Sequence, residues 1–132
     1  MKLDHIGVAV KDIEDRLKAY EALGFEAVHR EYVPQDQVQV AFVPFTGGRF
    51  ELLEPADATS PVGKFLAKRG EGIHHVALAV DDIDQELTHL KDAGVRLIDE
   101  VARAGAEGTR VAFIHPSSTG GVLVELVERP HE

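Results

Sequence analysis

Apolar and polar positions alternate at the start of the chain, and they do so again just past its midpoint. In residues 3–10 ("LDHIGVAV"), Ile6, Val8 and Val10 fall on one face and His5, Gly7 and Ala9 on the other, the period-two signature of a strand. Asp12 stands where a helix N-cap is needed. Ile13, Leu17 and Tyr20, with Leu23, then recur at helical spacing up to a stop at Gly24. Residues 25–33 predict a strand, "VPQDQ" a turn, and 38–44 and 49–54 a hairpin closed by "TGG". In "SPVGKFLAKRG", Ser60 as cap and Pro61 at the first helical position predict a linking helix over about 60–70. The scheme then repeats: strand 73–80, helix 83–93, and strands near 95–101, 110–115 and 122–128, with 102–108 ("ARAGAEG") as an expanded loop.

The repetition extends to the residues themselves. At a constant offset of seventy, His5-Ile6-Gly7-Val8-Ala9-Val10 falls on His75-Val76-Ala77-Leu78-Ala79-Val80, Asp12-Ile13 on Asp82-Ile83, Leu17 on Leu87 and Gly24 on Gly94. With small slips in the loops, Val40-Ala41-Phe42-Val43 answers Val111-Ala112-Phe113-Ile114. Phe50-Glu51-Leu52-Leu53-Glu54 likewise answers Val124-Glu125-Leu126-Val127-Glu128. This is an internal duplication. It predicts an α+β fold of two tandem βαβββ modules, about 1–56 and about 72–129, forming one domain over 1–132.

The duplication also selects candidate chemistry. On the first strand and its twin, the face away from the helix carries one histidine (His5 or His75) followed only by Gly7 and Ala9, or Ala77 and Ala79, which leaves room for something else. His74 has the wrong parity and corresponds to Asp4, so it is a neighbour that orients or caps. Glu51 sits inside "RFELLEP" and Glu125 inside "VLVELVE". An acid between apolar strand residues is expensive to bury without a partner. If both strands were edges, each acid could simply face water, but that reading does not explain why His and Glu recur together in both halves. Two histidines and two carboxylates make a sensible divalent metal site of mixed N/O donors. Such an ion keeps positions open to chelate a substrate through two oxygens.

Composition narrows the possibilities further. With no cysteine among 132 residues, disulfides, thiolate metal sites and cysteine nucleophiles are excluded, which suits a cytoplasmic protein. The net charge of −9 argues against nucleic acid or an anionic membrane as partner. The apolar run at the N-terminus is too short for a signal peptide. Lys64, Lys68 and Arg69 on the linking helix, and Arg103 and Arg110, are candidate anion contacts, although a charge run on a helix is commonly a solvated face. His29, His89 and His131 read as surface residues, and His115, Ser117 and Ser118 lie near a strand end.

The phrases "DHIGVAVKDIE", "ELLEP", "SPVGKFLAKRGEGIHHVALAVDDID", "GVRLIDE" and "FIHPSSTGGVLVELVE" resemble the vicinal oxygen chelate superfamily and, within it, the methylmalonyl-CoA epimerase family. The resemblance spans nearly the whole chain. It implies a cupped mixed sheet around one divalent ion held by His5, Glu51, His75 and Glu125. Co2+ is the expected ion, with Mn2+, Ni2+ and Zn2+ as alternatives. It further implies a homodimer and an isomerase acting at C2 of methylmalonyl-CoA in propionate metabolism. Some relatives carry Gln in place of Glu51 and a base Glu at the position of Val40. The carboxylate function is therefore expected to have moved to Glu51, with Glu125 as the second catalytic acid or a pure ligand. Rival readings are a glyoxalase I-type lyase using the same four ligands, and a drug-sequestering protein, which would lack them.

Overall fold

The computed structural model describes residues 1–26 and 29–130. The elements in chain order are β1 (Lys2–Ala9), α1 (Ile13–Ala22), β2 (His29–Val33), β3 (Val38–Phe45), β4 (Gly48–Pro55), α2 (Pro61–Arg69), β5 (Gly72–Ala79), α3 (Ile83–Asp92), β6 (Arg103–Ala104), β7 (Arg110–Ile114) and β8 (Val124–Glu128). This is an α+β fold built from two βαβββ modules. By their contacts the residues divide into two compact units, one of His5–His74 and one that joins Met1–Asp4 to the chain from His75 onward. The duplication alone would give the first four residues to module one. Asp4 instead accepts two bonds from Arg129, at 2.8 and 2.9 Å, which ties it to the second unit.

Within the first unit the strand order is β2-β3-β4-β1, with β1 parallel to β4 and the other pairs antiparallel. The second unit repeats it as β6-β7-β8-β5, with β5 parallel to β8 and the rest antiparallel. In each unit the bulky strand face is covered by that unit's helix. Val10, Ile13, Leu17, Ala41, Val43 and Leu52 form one buried cluster, against which Val8, Tyr20, Phe25 and Phe50 pack. Ile83, Leu87, Ala112, Ile114 and Leu126 form the other, flanked by Leu78 and Val80. Burying each leucine or isoleucine of these clusters contributes about 1.5–3 kcal/mol.

The helix ends follow the sequence signals closely. Asp12 accepts from the Glu14 amide at 2.9 Å, and Asp82 accepts from the Gln85 amide at 3.1 Å. Ser60 caps α2 by accepting from the Gly63 amide at 3.1 Å. Both α1 and α3 run into a glycine with positive φ, Gly24 at 102° and Gly94 at 81°. The next amide then reaches back five residues, from Phe25 to the Tyr20 carbonyl and from Val95 to the Leu90 carbonyl. This is a Schellman closure, which needs a left-handed residue and so favours glycine.

Three expected strands differ from what forms. Residues 95–101 make only an isolated bridge, Leu97 to Ile114. The Asp99 carboxylate accepts from the Phe113 amide at 2.8 Å, while the Phe113 carbonyl takes both the Ile98 and Asp99 amides. A side chain thus occupies the donor that a continuing ladder would use. The edge partner of β7 becomes the two-residue β6, inside the stretch read as loop. The 122–128 strand begins at Val124, after an exposed Val122. The 25–33 strand is described from His29 onward; Ala27 and Val28 lie outside the described residues, and Phe25 turns inward against Phe45 and Phe50.

The second acid of each "ELLE" and "ELVE" segment has a role that the sequence did not disclose. Glu54 accepts from the Ile13 amide at 2.8 Å, and Glu128 accepts from the Ile83 amide at 3.0 Å. Each fastens the positive end of its helix to the end of the strand carrying the site glutamate. Glu54→Ala should therefore lower stability by about 1–2 kcal/mol, read as a shifted denaturant midpoint at unchanged slope.

Candidate functional site

Each unit places its histidine and glutamate by the same register. In the first unit Gly7 pairs with Glu51 on one side, and Phe42 pairs with it on the other. In the second unit Ala77 and Phe113 flank Glu125 in the same way. Paired residues of adjacent strands share a face. Each glutamate therefore has an almost absent side chain on one flank and a phenyl ring on the other. His5 and His75 lie two residues before Gly7 and Ala77, on that same face.

All four residues are buried, with exposures of 5% for His5, 6% for Glu51, 6% for His75 and 7% for Glu125. The bland alternative, acids on water-facing edges, is thereby removed. His5 Nδ1 lies 3.1 Å from Glu51 Oε2, and His75 Nε2 lies 3.2 Å from Glu125 Oε1. That spacing suits metal binding. Two donors at right angles, each about 2.0–2.2 Å from one ion, stand about 3 Å apart. The donor chemistry also fits, since imidazole and carboxylate suit borderline divalent ions such as zinc, cobalt, nickel or manganese. Both units thus hold a His/Glu group able to ligate such an ion.

The rings around each pair are held in turn. Phe113 meets His75 edge-on at 5.5 Å, and the Arg103 guanidinium lies 5.5 Å from the Phe113 ring. In the first unit His29 stacks on Phe42 at 5.4 Å. His29 is exposed, as expected, yet it reaches the ring beside Glu51. The sequence did not single out Arg49. It donates to Glu51 Oε2 at 2.9 and 3.2 Å and lies over Phe42 at 4.4 Å. Its place two residues before Glu51 on a strand was the available signal, because period two puts both on one face.

The remaining candidates sort by their contacts. His74 meets Phe65 of α2 edge-on at 4.9 Å, in keeping with its off-face parity. Val40 is buried at 2% exposure, so this position supplies packing. His115 Nδ1 accepts from the Ser117 amide at 3.0 Å, and Ser118 Oγ accepts from the Arg96 amide at 2.9 Å. "HPSS" is therefore a turn closed by its own histidine and tied to the chain at Arg96. Lys64, Lys68 and Arg69 are exposed on α2, and His89 is exposed on α3. His131 lies outside the described residues. Arg110 is engaged by Asp84 through two bonds of 2.8 Å, with Glu128 at 3.7 Å.

Comparisons with known proteins identify the family. The family profile of the Glyoxalase/Bleomycin resistance protein/Dioxygenase superfamily matches residues 4–113. The chain belongs to that superfamily. A mitochondrial methylmalonyl-CoA epimerase of Bos taurus is 41% identical over 95% of this chain and 73% of its own length. An ethylmalonyl-CoA/methylmalonyl-CoA epimerase of Cereibacter sphaeroides is 37% identical over 95% of this chain and 96% of that one. A solved methylmalonyl-CoA epimerase, in complex with methylmalonyl-CoA and NH4+, superposes with a TM-score of 0.93 at 38% identity, covering 97% of this chain and 94% of that one. Members of the superfamily typically bind a divalent metal. No helix among the described residues is long and apolar enough to cross a membrane.

The engagement of Arg110 has a pH signature. Its hydrogen bonds, and then its charge, hold the Asp84 carboxyl below the usual carboxylate range. A depressed folded-state pKa contributes stability above the ordinary range, and that contribution is lost as pH falls through the folded value. The stability advantage of the wild type over Asp84→Asn should be present near neutrality and vanish in acid. Denaturation series between about pH 7 and about pH 3 measure it.

Proposed function

We propose that this chain is a methylmalonyl-CoA epimerase, interconverting the (2R) and (2S) forms by removing and returning the proton on C2. The carrying observation is the duplicated, buried His–Glu pair, set beside epimerase relatives that align over nearly the full chain. In this reading the chain acts as one domain over residues 1–132, and His5, Glu51, His75 and Glu125 together hold one divalent ion, with Co2+ favoured. Held by these residues, such an ion would supply Lewis-acid polarisation and positive charge to offset the negative charge that develops as C2 loses its proton.

The chain's own groups do the rest. Glu51 exchanges the C2 proton on one face of the enolate, and Glu125 serves the other. Val40 offers no carboxylate of its own, so proton transfer falls to the two ligating acids. Gly7 and Ala77 leave the space that a branched acyl group needs beside each carboxylate. Lys64, Lys68 and Arg69, exposed on α2, are proposed contacts for the CoA phosphates. We further propose a cytoplasmic homodimer working in propionate metabolism.

Deuterium incorporation at C2 of methylmalonyl-CoA in D2O tests this directly, with protein stripped of metal and then reloaded with Co2+. Exchange should require the ion. Glu51→Gln should still take up ion supplied in excess, yet lose turnover by about 10²-fold or more, the usual scale for a general base. Unchanged turnover in that variant would remove Glu51 as the base. No exchange by fully metallated wild type would reject the epimerase, and glutathione hemithioacetals would be the next substrate to try.

A further inference from the structure

The strand that brings Glu51 to the site brings a second charge with it, and the reaction proposed above leaves that charge unused. Arg49 lies on the same face of β4 and donates through Nη2 at 2.9 Å and Nε at 3.2 Å to Glu51 Oε2. The same oxygen stands 3.1 Å from His5 Nδ1. The Arg49 side chain is only 17% exposed, and its guanidinium carbon lies 4.4 Å from the Phe42 ring centroid. A guanidinium stacked on a ring and forked onto a carboxylate has little freedom to leave. Its charge also acts through protein more than through water, which strengthens its effect on anything Glu51 holds. At the corresponding position of the second half stands Leu123, two residues before Glu125, and the guanidinium over the equivalent ring, Phe113, comes from Arg103 on another strand.

We infer that Arg49 is the positioning and charge-balancing residue of Glu51. It fixes one carboxylate oxygen and adds one positive charge beside it for an acyl group that carries a carboxylate and gains negative charge as C2 loses its proton. The inference rests on the four-ligand reading given above. A divalent ion held by two neutral imidazoles and two carboxylates is neutral as a group, and Arg49 adds one positive charge. The substrate brings a carboxylate, and a second negative charge develops on the thioester oxygen as C2 loses its proton. Arg49 thus opposes the metal and favours the substrate. A merely structural arginine would not act in opposite directions on the two.

The test measures two dissociation constants. Metal-free protein is titrated with Co2+ in competition with a chelating dye, and cobalt-saturated protein is titrated with methylmalonyl-CoA by calorimetry. In Arg49→Met, the Co2+ constant should tighten about ten-fold or more and the methylmalonyl-CoA constant should weaken about as much, as expected of one unit charge at short range. Glu51→Gln should shift both constants the opposite way, and the Glu51→Gln/Arg49→Met double variant should return both towards wild type. Arg49→Lys keeps the charge and should lie near wild type in both. Weakening of both constants in Arg49→Met, or movement of neither while wild type binds Co2+, overturns the role given to Arg49. A wild type that binds no Co2+ overturns the four-ligand reading, and this inference with it.

Discussion

A carboxylate in the middle of an apolar strand needs a partner, and the rest of this molecule is arranged around that need. Glu51 and Glu125 are only 6% and 7% exposed. Leaving such a charge uncompensated costs several kcal/mol per ion. Each therefore stands about 3 Å from an imidazole, as the 3.1 and 3.2 Å separations show. Each also sits between a minimal side chain and a phenylalanine, Gly7 and Phe42 in one unit and Ala77 and Phe113 in the other. The small neighbour makes room, and the ring excludes water. Once these residues claim one strand face, the opposite face must carry the bulky aliphatic residues, and the helix has only that face to cover.

The spacing of the acids couples the site to the fold. Glu51 and Glu54, like Glu125 and Glu128, are three apart, and an odd spacing on a strand sends two side chains to opposite faces. One acid of each pair faces the site. The other crosses to the helix side and takes the first helical amide, Ile13 or Ile83. A single strand thus fixes both the candidate ligand and the helix whose packing holds that strand rigid. Rigid support of this kind keeps a polar constellation in a usable geometry.

Much of this was legible in the sequence, for reasons that can be named. Strand parity placed His5 and His75 opposite the apolar residues, and the structure keeps that parity. Asp12, Asp82, Ser60, Gly24 and Gly94 stop and start helices through local hydrogen bonds, which depend on few distant residues. What escaped depends on long-range partners. Asp99 interrupts an expected strand by bonding the Phe113 amide fourteen residues away. Glu54 showed in the sequence only as the counterpart of Glu128, and its bond from the Ile13 amide, 41 residues distant, exists only in the folded chain. Arg110 resembled a free cation for phosphate, and only the folded chain brings Asp84 to it.

Where the halves agree and where they differ separates fold from chemistry. Helix caps, Schellman closures, the strand-to-helix ties of Glu54 and Glu128, and the His–Glu pairs all occur in both halves, so each belongs to what the βαβββ module repeats. Among the described residues a guanidinium lies over the flanking ring in both halves, Arg49 over Phe42 and Arg103 over Phe113, but the two arginines come from different places: Arg49 from the strand of Glu51, where the second half has Leu123, and Arg103 from the short edge strand β6. An acyl-CoA has no two-fold symmetry. Its thioester and carboxylate oxygens differ, and its nucleotide extends to one side only. Groups that distinguish those ends must break the duplication. In the reading proposed for Glu51, the half-buried guanidinium that reaches it from its own strand is one place where the repeat is adapted to a substrate rather than to its own folding.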